Sequence, residues 1–110
     1  MPFIRQYSAE QPAREDVDAL PGAVAIEFGT SWCGHCQAAQ PLLEQALADV
    51  PGLLHLKVED GPGRPLGRSF RVKLWPTLIL MRDGQEVARL VRPHDREELQ
   101  RAVQQVAPAA

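Results

Sequence analysis

Ala23-Val24-Ala25-Ile26-Glu27-Phe28-Gly29-Thr30-Ser31-Trp32-Cys33-Gly34-His35-Cys36 passes from an apolar, partly β-branched run through a turn to two cysteines. The run predicts a buried central strand, and Gly29-Thr30-Ser31 predicts the turn that ends it. Past the cysteines, Ala39, Leu42, Leu43, Ala46, Leu47 and Val50 recur at helical spacing, so the pair sits at the start of an amphipathic helix. Pro41 lies inside that pattern and is expected to kink it; Pro51-Gly52 stops it.

Cys33 and Cys36 are the only cysteines of the 110 residues. Two cysteines so close in sequence close a tiny ring and staple nothing, unlike a disulfide framework. A structural zinc needs four ligands, and His55 and His94 stand alone, so no metal is expected. Attachment of c-type haem needs His after the second cysteine, and residue 37 is Gln. A dithiol that cycles between reduced and oxidised states remains, with a Cys33-Cys36 disulfide as its oxidised form. Glu27 is the oddity of the strand. Burial raises a carboxyl pKa, which would let it carry protons near neutrality.

Outward from this centre, Phe3 to Tyr7 reads as a strand and Pro12 to Leu20 as a short helix with Pro12 in its first turn. Leu53 to Glu59 alternates, with Leu54, Leu56 and Val58 on one face and His55, Lys57 and Glu59 on the other. A Pro- and Gly-rich loop leads to a short helix near Leu66–Phe70. Pro76 to Arg82 and Glu86 to Val91 are strands joined by Asp83-Gly84, a hairpin signal. Asp95, with Glu98 three residues on, opens the last helix, whose inner face is Leu99, Ala102, Val103 and Val106. The order is β-α-β-α-β-α-β-β-α, one α/β domain over residues 1–110 with a frayed tail after about residue 106.

Composition agrees with a globular domain: 45% of residues are hydrophobic and 24% charged. The net charge of −2 hides three basic and nine acidic residues in 1–60, against nine and five in 61–110. The basics are interleaved with acids and the pI is about 5.9, which argues against nucleic acid as a partner. No apolar run reaches the roughly 20 residues of a membrane span, and the first residues lack a secretory h-region. A cytoplasmic protein is expected, or a periplasmic one if a leader has been trimmed.

Taken together, Glu27-Phe28, the Trp32-Cys33-Gly34-His35-Cys36 motif, Pro41 five residues after Cys36, Trp75-Pro76-Thr77 and Asp83-Gly84 resemble the thioredoxin superfamily over about residues 3–106. The Cys-Gly-His-Cys form with Glu-Phe upstream resembles protein disulfide isomerase domains, while the length resembles a stand-alone thioredoxin. The resemblance implies a thioredoxin fold, a central mixed sheet flanked by helices, and a thiol–disulfide oxidoreductase acting on protein disulfides. It implies Cys33 as nucleophile, its thiolate favoured by the helix end, and Cys36 as resolving thiol. Glu27 would be the proton acceptor, with Lys57 its partner, although His55 shares that face and the choice stays open. Gly34, His35 and Trp32 would tune the redox pair. Pro76 would be cis, letting the backbone at Trp75 meet a substrate strand. Arg92-Pro93 stands where the family often has Gly-Ala, and Gly29 replaces a usual bulky aromatic. No cofactor is implied. A thioredoxin reductase or another dithiol donor would restore the thiols of a monomer. Disulfide formation or isomerisation is the alternative chemistry, and a protein-binding adaptor the alternative class.

Overall fold

The computed structural model describes residues 3–48 and 50–107. Its elements are α1 (Arg14–Asp18), β1 (Ala23–Gly29), α2 (Gly34–Leu47), β2 (Leu53–Glu59), α3 (Pro65–Ser69), β3 (Thr77–Arg82), β4 (Gln85–Val91) and α4 (Arg96–Val106). They form a mixed sheet of order β2-β1-β3-β4. β1 runs parallel to β2 and antiparallel to β3, and β3 pairs antiparallel with β4. A parallel pair needs a crossover, and α2 supplies it. All seven residues of β1 are buried, as its unbroken apolar run predicts for a strand covered on both faces.

Alternation divides β1 between two cores. Val24, Ile26 and Phe28 pack with Val17, Leu66, Phe70, Ile79 and Met81 beneath α1 and α3. Ala23 and Ala25 face Leu43, Leu47, Leu99 and Val103 of α2 and α4. Asp83 and Gly84 both take positive φ, 49° and 81°, as a two-residue hairpin turn requires. The Asp95 carboxylate caps α4 by accepting from the backbone N–H of Glu97 and Glu98. The α2 helix continues through Pro41.

Two expectations need correction. The strand over residues 3–7 does not form; just beyond it, Ser8 makes an isolated bridge to Val58. Side chains of β2 take the segment's backbone groups instead: Ile4 N–H donates to His55 Nδ1 at 3.1 Å, and the Arg5 carbonyl accepts from Lys57 Nζ at 3.0 Å. The α1 helix is shorter than expected, and Pro12 precedes its N-cap, Ala13. On β2 the alternation holds, yet the polar face is the deeper one. His55 and Lys57 are buried while Leu54 and Leu56 are partly exposed. The final helix ends at Val106, and the tail expected to fray lies largely in residues 108–110, outside the described ones.

Candidate active site

The C-terminal end of β1 turns at Thr30–Trp32 and delivers Cys33 to the N-cap of α2. There Cys33 Sγ accepts from the Cys36 backbone N–H at 3.3 Å. An N-terminal N–H left free by helix geometry is thus aimed at the sulfur, an arrangement that favours negative charge. Both cysteines are free thiols; Cys33 is partly exposed and Cys36 buried. Burial, followed by hydrogen bonding to Cys33, pushes the Cys36 thiol up to about 11. One sulfur is presented to solvent and the other is held protonated beneath it.

Around the exposed sulfur, Gly34 opens the helix and His35 is exposed. Trp32 is 70% exposed, and its ring meets that of Trp75 edge-on at 5.8 Å. The Trp75-Pro76 peptide is cis. Trp75 Nε1 donates to Asp60 Oδ2 at 2.8 Å. The Trp75 carbonyl accepts from Arg92 Nε at 2.9 Å, and the Arg92 backbone N–H donates to the Pro76 carbonyl at 2.8 Å. Trp32, His35, Trp75, Pro76 and Arg92 therefore occupy the N-terminal end of α2 and the loops beside it.

Beneath the dithiol lies a polar cluster on the face of β1 and β2 that also carries the α2–α4 core. Register places Glu27 beside Lys57 and Ala25 beside His55. Glu27 is fully buried. Its Oε2 accepts from Tyr7 Oη at 2.6 Å and Gln40 Nε2 at 2.9 Å, with Lys57 Nζ 3.7 Å away. Its Oε1 faces His55 Nε2 at 3.4 Å. His55 Nδ1 accepts from Ile4, which turns the Nε2 edge towards Glu27, although these two buried atoms make no hydrogen bond. Both His55 and Lys57 stand beside Glu27.

The expectation that burial raises the Glu27 pKa is overturned. Burial does push it up, but the His55 contact, the Lys57 charge, and the Tyr7 and Gln40 bonds outweigh that and hold it below the ordinary carboxylate value. Lys57 is lowered, chiefly by burial. Its ammonium lies against two rings, 4.7 Å from Tyr7 and 5.1 Å from Phe3, and it donates to Gln40 Oε1.

Tyr7 and Gln40 belong to this cluster and carry no motif of their own. Gly29 is the one sequence signal that points to Tyr7. A Cβ at position 29 would come within 2.6 Å of both Tyr7 Oη and Cys36 Sγ, so the space a bulky residue would fill is occupied by these two groups. A cavity of about 450 Å³, lined by Arg5, Tyr7, Thr30, Cys36, Gln40 and Lys57 among others, opens beside them. Among the described residues no group of His, Cys, Asp or Glu is arranged to hold a metal ion, and no helix is long and apolar enough to cross a membrane.

The thioredoxin family model matches residues 7–105. The chain belongs to the thioredoxin family. A thioredoxin of Chlamydia trachomatis serovar D is 42% identical over 79 residues, covering 71% of this chain and 76% of that one. A thioredoxin of Mycobacterium bovis is 34% identical over 94 residues, covering 84% and 81%. The solved structure of thioredoxin 2 from Pseudomonas aeruginosa PAO1 in its reduced form is 59% identical, with a TM-score of 0.83 over 94% of this chain and 96% of that one. A cysteine pair at the start of α2 in a thioredoxin fold makes this chain a thiol–disulfide oxidoreductase, a disulfide reductase whose substrates are protein disulfides.

Proposed function

We propose that Cys33 is the attacking sulfur and Cys36 the resolving one. The supporting observation is their asymmetry: Cys33 is partly exposed at the helix end, and Cys36 is buried and held protonated. The Cys33 thiolate attacks a substrate disulfide, breaking its S–S bond and releasing one substrate thiolate. Cys36 then gives up its proton towards the Glu27 carboxylate, attacks Cys33 Sγ and expels the second substrate thiolate, leaving a Cys33-Cys36 disulfide. Lys57 and His55 hold Glu27 ionised and ready to accept that proton. Trp75 and Pro76 receive the substrate backbone at a rim where Arg92 covers the Trp75 carbonyl until the substrate arrives, and a thioredoxin reductase restores the dithiol of a monomeric, single-domain, cytoplasmic protein.

Replacing each cysteine by serine tests the assignment. Cys33→Ser abolishes reduction of insulin. Cys36→Ser accumulates mixed disulfides with natural substrates, seen as dithiothreitol-sensitive bands on non-reducing gels, and their identities report the compartment. Equal trapping by both variants would reverse the roles, and trapping by neither would favour an adaptor.

His35 is proposed to stabilise the reduced pair more than a proline would. The reduction potential is then expected above roughly −260 mV, between about −270 mV for thioredoxin and −180 mV for protein disulfide isomerase. Equilibration with glutathione measures it, and a value of about −270 mV or lower removes His35 as a tuning residue.

A further inference from the structure

Glu27 and Cys36 make no hydrogen bond to each other among the described residues, although the proposed reaction moves a proton between them. The Tyr7 hydroxyl is next to both groups. It donates to Glu27 Oε2 at 2.6 Å, and it shares with Cys36 Sγ the space that the missing side chain of Gly29 leaves open. We propose that Tyr7 is the proton relay of the resolving step, carrying the Cys36 proton to Glu27 through its own hydroxyl.

The relay rests on the reading of Glu27 as final acceptor and supplies the route it lacks. As Cys36 Sγ attacks, its proton passes to Tyr7 Oη while the phenolic proton passes to Glu27 Oε2. The electron pair left on Cys36 forms the bond to Cys33 Sγ. The bond between Cys33 and the substrate sulfur breaks, and its electron pair leaves on the substrate as thiolate. Tyr7 ends as it began, a neutral phenol, and Glu27 ends as the neutral acid. A phenol suits this task because its oxygen accepts and donates at once. Burial and the adjacent Glu27 carboxylate also hold Tyr7 well above the ordinary tyrosine range, so it passes a proton without resting as an anion.

The supports are independent of the two thiols. Ile4 N–H on His55, the Arg5 carbonyl on Lys57 Nζ and the backbone bonds of Ser8 to Lys57 and Glu59 fasten the segment around Tyr7 to β2. Gln40 Nε2 ties Glu27 Oε2 to the Cys36 carbonyl, at 2.9 and 3.0 Å, and so keeps acceptor and donor in one frame. A segment that forms no strand is thereby held by the same side chains that surround the carboxylate.

The test is single-turnover reduction of a disulfide-containing peptide by the full chain, following formation and decay of the mixed disulfide in rapid-mixing experiments. Tyr7→Phe keeps the ring and removes the hydroxyl. It is expected to leave the first attack unchanged and to slow resolution about tenfold or more, within the range of positioned proton transfer. Glu27→Gln slows the same step, and the double variant is no slower than the worse single one, because both groups serve one path. Slow resolution in Glu27→Gln with a normal rate in Tyr7→Phe overturns the relay and leaves Glu27 as acceptor. Normal resolution in both overturns the relay together with the Glu27 reading, and additive losses also reject a common path. A measurement on the unaltered chain guards against a misfolded variant. The resolution rate should fall along a curve as the deuterium content of the solvent rises, since two protons move together. A straight line, the mark of a single proton, overturns the relay.

Discussion

The two faces of β1 do different work with the same backbone. On one, Val24, Ile26 and Phe28 close an apolar core with α1 and α3; on the other, two alanines give way to Glu27 near the strand's end. Both faces are equally dry, with Phe28 and Glu27 each fully buried. The energetics differ in kind. Phe28 is held by the area it removes from water and by the ring of Phe70, 5.8 Å away. Glu27 is held by donors and a neighbouring cation that offset its desolvation. Apolar burial tolerates approximate partners, whereas a buried charge depends on each one. The function sits on the face that is the more easily broken.

The largest effect is expected where area is lost. Phe28→Ala should destabilise the fold by about 3–5 kcal/mol, the usual range for removing a buried aromatic, with activity per folded molecule unchanged. Urea unfolding and insulin reduction at matched folded concentration measure the two. A loss of specific activity would show that the apolar face also sets the geometry of the dithiol.

Glu27→Gln should cost somewhat less, about 3 kcal/mol, the lower end for breaking a buried pair, because Gln keeps side-chain oxygen for the Tyr7 bond. From the sequence, removing a desolvated charge promises an unchanged or more stable fold; the paired Lys57 reverses that sign. The pH dependence separates the causes. Glu27 is depressed in the folded state, so its contribution is present above the unfolded carboxylate value of about 4.3 and lost as pH falls through the lower folded value. The variant lacks that acid loss. Lys57, already lowered by burial and now without Glu27, binds its proton more weakly folded than unfolded. The variant should therefore gain stability as pH rises through the window between those two lysine values. Urea midpoints across the acid and alkaline ranges show both slopes; parallel profiles for variant and parent would remove the pairing from the account.

What the sequence made legible follows from how local each signal is. Cys33, Cys36, Trp75-Pro76 and Asp83-Gly84 announce themselves within a few residues, and the periodicities of β1, α2 and α4 place them. Glu27 stands out because a charge interrupts an apolar run. The sign of its pKa shift is hidden in the sequence, because burial is visible in such a run and the partners are not: Tyr7 and Gln40 donate to it, and His55 and Lys57 stand beside it. His55 and Lys57 were ambiguous because residues two apart on a strand share a face, and here both reach the carboxylate. By sequence Tyr7 falls in a strand, since Phe3 to Tyr7 carries enough apolar and aromatic residues for one. The competing partners, His55 and Lys57 side chains bonded to that backbone, appear only once β2 is in place. Gly29 departs from the family's usual bulky aromatic because the Tyr7 hydroxyl and Cys36 thiol take up the space a side chain there would need.

The smallest effect concerns the rim above the dithiol, where Arg92 holds φ at 50° while its side chain covers the Trp75 carbonyl. A left-handed conformation costs a non-glycine residue about 1–2 kcal/mol. Arg92→Gly removes that cost, but the freer unfolded chain of glycine takes back roughly 0.5–1 kcal/mol. The fold should thus be unchanged or slightly more stable. An incoming substrate strand that pairs with the Trp75 carbonyl must first displace Arg92 Nε, and a hydrogen bond is worth about 1 kcal/mol net. Freeing the carbonyl should lower the KM for peptide disulfides by up to about fivefold, with kcat unchanged, since the interaction precedes the chemistry. Steady-state kinetics on a disulfide-bonded peptide measure both constants. A rise in KM would show instead that Arg92 grips the substrate directly, so that the rim recognises its partner through the guanidinium and not through the backbone that it covers.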